Sequence, residues 1–166
     1  MMAVKQISGN GIELVERPIG RVLEFVAFHF PPEGAFVVGW PAAPGAVRHD
    51  TLGGPGLLHF APARWLAPSP CAEIAALVAA AEETAGTCMD VTGKWREFAL
   101  GGPRAGRVLA SAVNVEAVLE GRECAAVTLF DCPCILARVT DAYRIWVRSS
   151  FATDFIAAIE SLRLPA

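Results

Sequence analysis

From Leu57 to the C-terminus, apolar runs of strand length alternate with segments whose apolar residues recur at helical spacing, and that order admits few architectures. Residues 57–60 form a short apolar run. Pro68, Ser69 and Pro70 then announce a helix reaching to about residue 85. Ser69 is its expected N-cap and Pro70 its first residue, Ile74, Leu77, Val78 and Ala81 form its apolar stripe, and Gly86 is expected to end it in a left-handed conformation. Residues 88–91 and 95–100 follow as strands around Thr92 and Gly93 and read as a hairpin. Gly101, Gly102 and Pro103 turn the chain into a second helix with Ala105, Val108, Leu109 and Ala112 facing inward.

Three strands come next, at 125–130, 135–139 and 143–147, rich in β-branched and aromatic residues, with turn residues at 131–133 and at Asp141. The last helix has Ser149 or Ser150 as its cap and Asp154 near its first turn, where the helix dipole favours negative charge. Phe151, Phe155, Ile159 and Leu162 line one of its faces. The order contains the split β-α-β pattern of ferredoxin-like units, and the expected fold class is α+β.

Before Leu57 the pattern is weaker. Strands are expected at 11–16, 21–30 and 35–40, and the proline and glycine residues between 41 and 56 read as an irregular loop, not a domain boundary. With 166 residues the chain is expected to form a single domain, 1–166, around one core.

Composition excludes several classes of function. At 54% hydrophobic and 19% charged, the chain has enough apolar surface to offset the entropy of folding, and a surface so short of charge favours a partner chain covering part of it. A net charge of −3 offers no phosphate-neutralising surface, so nucleic acid is not an expected partner. The longest aliphatic run, 74–81 between Glu73 and Glu82, is far short of the roughly 20 residues a bilayer requires. Polar residues from Lys5 to Glu16 stand where a signal peptide would need an apolar stretch, so a cytoplasmic location is expected. The five cysteines, Cys71, Cys88, Cys124, Cys132 and Cys134, are then expected to be reduced.

No serine nucleophile elbow, paired-acid motif or nucleotide fingerprint is present. Cys132 and Cys134 alternate along a strand and would point to one side, as two metal ligands or as two buried small hydrophobes. With no histidine or second cysteine pair nearby, the latter is preferred. His29, His49 and His59 are scattered, and each reads as structural. Gly102 and Arg104, within the run Gly101, Gly102, Pro103, Arg104 and Gly106, are candidates for an anion site at a helix start, with a tight strand-to-helix turn as the competing explanation. Arg144, Trp146 and Arg148 alternate with Tyr143, Ile145 and Val147 and make a stripe on one strand face. That stripe is either a solvated face or an interface, where arginine and tryptophan are enriched.

Four stretches in order resemble the small gamma subunit of heterotetrameric sarcosine oxidase and, more distantly, the folate-binding domain of the glycine cleavage T-protein. They are LLHFAPARWLAPSP (57–70), MDVTGKWREFALGGPRAGRVLAS (89–111), CPCILARV (132–139) and YRIWVRSSFATDFIAAI (143–159), together 62 of the 166 residues, spread between 57 and 159. The resemblance implies an accessory, non-catalytic subunit of a flavin-dependent complex that demethylates sarcosine oxidatively and passes the one-carbon unit to tetrahydrofolate. It also implies flavins on larger partner subunits. The alternative is a stand-alone folate-binding module that uses the fold's central pocket; a folate glutamate is one anion that the Gly102 and Arg104 turn could bind. The T-protein family carries a functional aspartate just before a strand, and that place falls here near Cys132 and Pro133. Only Asp131 is close, one residue out of step and so aimed elsewhere, which argues against aminomethyl transfer and for a turn aspartate.

Overall fold

The computed structural model describes residues 6–28, 40–50, 53–140 and 142–162, which form α+β structure with two antiparallel sheets. The chain divides into two compact units, and neither is a continuous stretch. One takes Met1–Pro18, Gly93–Gly121 and Ala126–Ala166, the other Ile19–Thr92 and Arg122–Ala125. This interleaving explains why the sequence, read as one domain, shows no linear boundary.

The first unit is built on a six-stranded sheet. β1 (Gln6–Gly9) and β2 (Ile12–Arg17) pair as a hairpin whose turn, Asn10 and Gly11, has positive φ at both residues (51° and 74°). That is the twist a two-residue hairpin needs, and Asn-Gly supplies it at little steric cost. β8 (Trp95–Gly101) pairs with β2 and with β11 (Ala142–Arg148), and β11 pairs with β10 (Cys132–Val139). β9 (Cys124–Leu129) completes the sheet beside β10, its last four residues belonging to this unit. The turn between them is Phe130–Asp131 with φ of 51° and 62°, one residue earlier than expected, and Pro133 lies within β10 with its side chain exposed.

Two short helices, α2 (Ala105–Ala110) and α3 (Val115–Val118), link β8 to β9 where one helix was expected. α4 (Ala152–Ser161) closes the unit with Phe155, Ile156 and Ile159 buried, and Phe155 stands 5.4 Å from the Phe98 ring. Its expected serine caps are used otherwise. Ser149 begins a turn of 3-10 helix, its hydroxyl donating to the Gly93 carbonyl (2.5 Å) and its amide to that of Lys94 (2.9 Å), so it anchors the start of β8.

The second unit carries a five-stranded sheet, in the order β4 (Val47–His49), β5 (Pro55–Ala61), β6 (Arg64–Pro68), β3 (Val22–Ala27) and β7 (Gly86–Asp90). The 41–56 loop therefore contains β4 and the first residues of β5. The strand expected at 21–30 spans Val22–Ala27, and most of that expected at 35–40 lies outside the described residues. α1 (Ala72–Ala85) buries Ile74, Leu77, Val78 and Ala81 in a core with Phe25, Trp40 and Trp65, whose ring centroids lie 5.2–5.6 Å apart.

The ends of α1 depart from expectation. Cys71 is the N-cap, without a side-chain hydrogen bond, while Ser69 adopts φ 51° and its hydroxyl accepts from the Gly20 amide at 2.8 Å. Gly86 is extended and passes directly into β7. A glycine is needed there for clearance, since a Cβ would lie 2.2 Å from the Val26 carbonyl oxygen and 2.6 Å from the Phe25 ring. The expected hairpin of 88–91 with 95–100 does not form. β7 pairs with β3 in one sheet, β8 with β2 and β11 in the other.

Candidate functional site

The register of β8 against β11 decides where the arginine and tryptophan stripe lies. Arg144 stands opposite Ala99, Trp146 opposite Glu97 and Arg148 opposite Trp95, so all six share one sheet face, with Arg17 of β2 opposite Glu97. The stripe therefore forms as the alternation requires. Its exposure does not: Trp146 is 0% exposed, as is Ile145 on the opposite face, so Trp146 is a core residue and not a surface anchor. The physical reason lies on the neighbouring strand. Glu97 is only 3% exposed, and Arg144 donates to its Oε1 from Nε at 2.5 Å and from Nη2, while Arg17 Nε stands 3.8 Å away. A carboxylate and a guanidinium that neutralise each other can stay on a buried face where either alone could not.

Arg148 has a different partner. Its guanidinium lies 5.3 Å from the Trp95 ring centroid, and the Lys94 ammonium lies 5.9 Å from the same centroid, both within cation–π range. Trp95 is itself buried, and the Nε1 atoms of Trp95 and Trp146 have no hydrogen-bond partner among the described residues.

At the start of α2, Gly102 has φ 94°, and a Cβ there would come within 2.5 Å of the Gly11 carbonyl oxygen. The Arg104 amide donates to that same oxygen (3.0 Å), and Arg104 Nη1 donates to the Asn10 carbonyl (3.3 Å). Both residues thus hold the β1–β2 turn. Gly102 also borders a cleft of about 250 Å³ between the α2 start and the facing ends of β10 and β11. The cationic group lining it is Arg138, not Arg104. Arg138 Nη2 donates to Glu116 Oε1 at 2.8 Å, and this hydrogen bond and the Glu116 charge raise its pKa. The cleft falls just below the usual range of drug-sized sites and has room for a small molecule or ion.

Cys132 and Cys134 do share a side of β10, and both are buried; burial pushes the Cys134 thiol up to about 12 and the Cys132 thiol above its ordinary value. Their hydrogens go to carbonyls, Cys134 Sγ to Cys132 (3.0 Å) and Cys132 Sγ to Phe130 (3.4 Å). Among the described residues no group of three or more His, Cys, Asp or Glu side chains is placed to hold a metal ion. His49 pairs with Glu123 at 3.0 Å on the surface. His59 is fully buried and stacked on Trp65, with ring centroids 4.2 Å apart at 22°. His29 lies outside the described residues. Asp131 occupies the β9–β10 turn. Among the described residues, no helix is long and apolar enough to cross a membrane.

The residues that organise the sheet face, Glu97 and Trp95, were not singled out from the sequence. Their signal was present in WREFALG, which alternates in the same period as YRIWVR and supplies the acid for its arginines.

Two antiparallel sheets, of six and five strands, with four helices among the described residues, place the chain in the α+β class. Comparisons with protein-family models and with curated protein sequences find no match. Among solved structures, it is similar to a chain of the heterotetrameric sarcosine oxidase from Corynebacterium sp. U-96, determined in complex with pyrrole 2-carboxylate. The TM-score is 0.70 at 22% identity, and the match covers 97% of this chain and 90% of that one. At that identity the likeness is one of fold.

Proposed function

We propose that this chain is an accessory subunit of a sarcosine-oxidase-like complex, contributing surface to the assembly and no reacting group. The observation that carries the proposal is the coverage of the structural match. With 97% of one chain laid on 90% of the other, the two are of similar length, so the likeness is to a small chain of a heterotetramer taken nearly whole, and not to one domain of a large one. Flavin would then reside on larger partner subunits. Tetrahydrofolate would accept the one-carbon unit there, and this chain would have a fold related to the folate-binding domain of the T-protein without using it for transfer. The hydrogen bonds by which Arg104 holds the β1–β2 turn support that division of labour, because they commit this residue within its own chain.

The test is isolation from the native cell. The protein is expected to co-purify with larger flavin-bearing chains in fixed stoichiometry; consistent isolation alone refutes the proposal. Calorimetric titration of the isolated chain with tetrahydrofolate addresses the stand-alone folate-binding alternative, and no binding heat is expected.

A further inference from the structure

Seven arginines of the described chain, Arg17, Arg21, Arg48, Arg64, Arg96, Arg138 and Arg144, each lie within ion-pair distance of a carboxylate. Arg104, Arg107 and Arg122 do not, and all three are exposed, where water solvates the charge. Arg148 is the exception. It is half-buried, it has no carboxylate among the described residues, and the partner it does have is the face of Trp95. In a chain of net charge −3 that otherwise supplies an acid to every half-buried arginine, this guanidinium has lost part of its hydration without gaining a counter-charge. A cation held over an indole is oriented and partly desolvated, which strengthens any hydrogen bond it makes to an incoming anion. The second observation is at the same corner. Trp95 is itself buried, so the ring over which the guanidinium lies is held in place by the core.

We infer that the corner formed by Arg148 and Trp95, at the C-terminal end of β11 and the start of β8, is a docking point for a carboxylate carried by an acidic segment of the partner subunit. This deepens the proposed accessory role and rests on it. The planar guanidinium suits a carboxylate by bidentate hydrogen bonding. The Lys94 ammonium, over the same ring, adds positive potential at the corner. Of the stripe Arg144, Trp146 and Arg148, only Arg148 is then an interface residue. Arg144 is committed to Glu97 within its own sheet, and Trp146 supports the strand from inside the core.

The experiment uses the full chain as bait for the flavin-bearing chains of the native cell, identified by mass and bound-flavin absorbance, with wild type compared against Arg148→Glu, Arg148→Lys and Arg144→Ala. Arg148→Glu is expected to lower affinity by about tenfold or more, since it sets like charges face to face. Arg148→Lys is expected to lose less, and raising salt should weaken wild type more than Arg148→Glu. Equal capture by wild type and Arg148→Glu, or a salt response unchanged by the substitution, overturns the inference and leaves the accessory role standing. Capture of no flavin-bearing chain by wild type overturns the accessory role itself. Should Arg148→Glu not fold, as judged by its melting curve, Arg148→Gln serves instead, with the same outcomes.

Discussion

Replacing Trp146 with alanine separates a core tryptophan from a surface one by magnitude alone. The indole is fully buried at the centre of the six-stranded sheet, between Glu97 on β8 and Ile135 on β10. Truncating a buried tryptophan removes its transfer free energy and leaves a cavity, which costs about 3–5 kcal/mol. A surface position would cost within about 0.5 kcal/mol. Against a total stability of about 5–15 kcal/mol the loss is a large fraction, and at about 2–4 °C per kcal/mol for a chain of this size it lowers Tm by roughly 6–20 °C. The assay is urea unfolding followed by circular dichroism, with an unchanged slope expected, so that the midpoint alone reports the stability change. Trp146→Phe is a control: it deletes an indole N–H that has no acceptor among the described residues and keeps a ring, so its cost is limited to volume, about 1–2 kcal/mol. Ile145→Ala should also cost about 2–5 kcal/mol, because Ile145 is equally buried on the other face. A loss below about 1 kcal/mol for Trp146→Ala at unchanged slope would refute the placement of this residue in the core.

Gly86→Ala should destabilise by at least about 1–3 kcal/mol, because the added Cβ meets the Val26 carbonyl and the Phe25 ring and must displace backbone; a melting temperature equal to wild type would refute this. Burial holds the His59 imidazole below 6.5, against the weaker pull of the carbonyls of Ala43, Ala42 and Pro41, so the unfolded chain takes the proton first. Its contribution to stability is complete above pH 6.5 and is lost as the pH falls below that value, and His59→Phe should flatten that part of the urea-midpoint profile between pH 8 and pH 5. With Cys124, Cys132 and Cys134 buried and the Cys124 and Cys134 thiols pushed up to about 12 by burial, iodoacetamide at pH 8 should label the half-buried Cys71 first and Cys88, whose thiol is raised by its own partial burial and by Glu82, after it but ahead of Cys124 and Cys134, as read by peptide mass spectrometry; early labelling of Cys134 would contradict its burial.

Long segments with a single strong period were legible in the sequence. α1, α4 and the three strands β9 to β11 lie within a few residues of expectation because their apolar residues alone fix period and facing. Short elements were not. β6 hides in Arg64–Pro68, where two prolines bracket a run too brief to show a period, and β4 is three residues long. The Asn10–Gly11 turn carried the strongest short hairpin signal in the chain, yet the strand before it has only one buried residue, Ile7, and alternation cannot reveal such a strand. The hairpin expected around Thr92 and Gly93 failed for another reason. Sequence adjacency favours pairing, but nothing local distinguishes two strands that pair with each other from two that pair with distant partners in separate sheets.

The stripe shows the same limit in chemical form. An alternation of arginine and tryptophan on one strand has two physical solutions: water solvates the arginines, or neighbouring strands neutralise them. Period cannot choose between these, since both give residues i, i+2 and i+4 on one face. The choice depends on whether the strand beside it presents acids in register, and here β8 does, with Glu97 one step diagonally from Arg144 and within reach of Arg17 on β2. Among the described residues no such acid stands within reach of Arg148, whose cross-strand neighbour is Trp95. One strand therefore carries two arginines of identical sequence character and opposite consequence. Arg144 closes a charge balance inside its own sheet, whereas Arg148 leaves one open, and only the second has a physical reason to seek a group outside the chain.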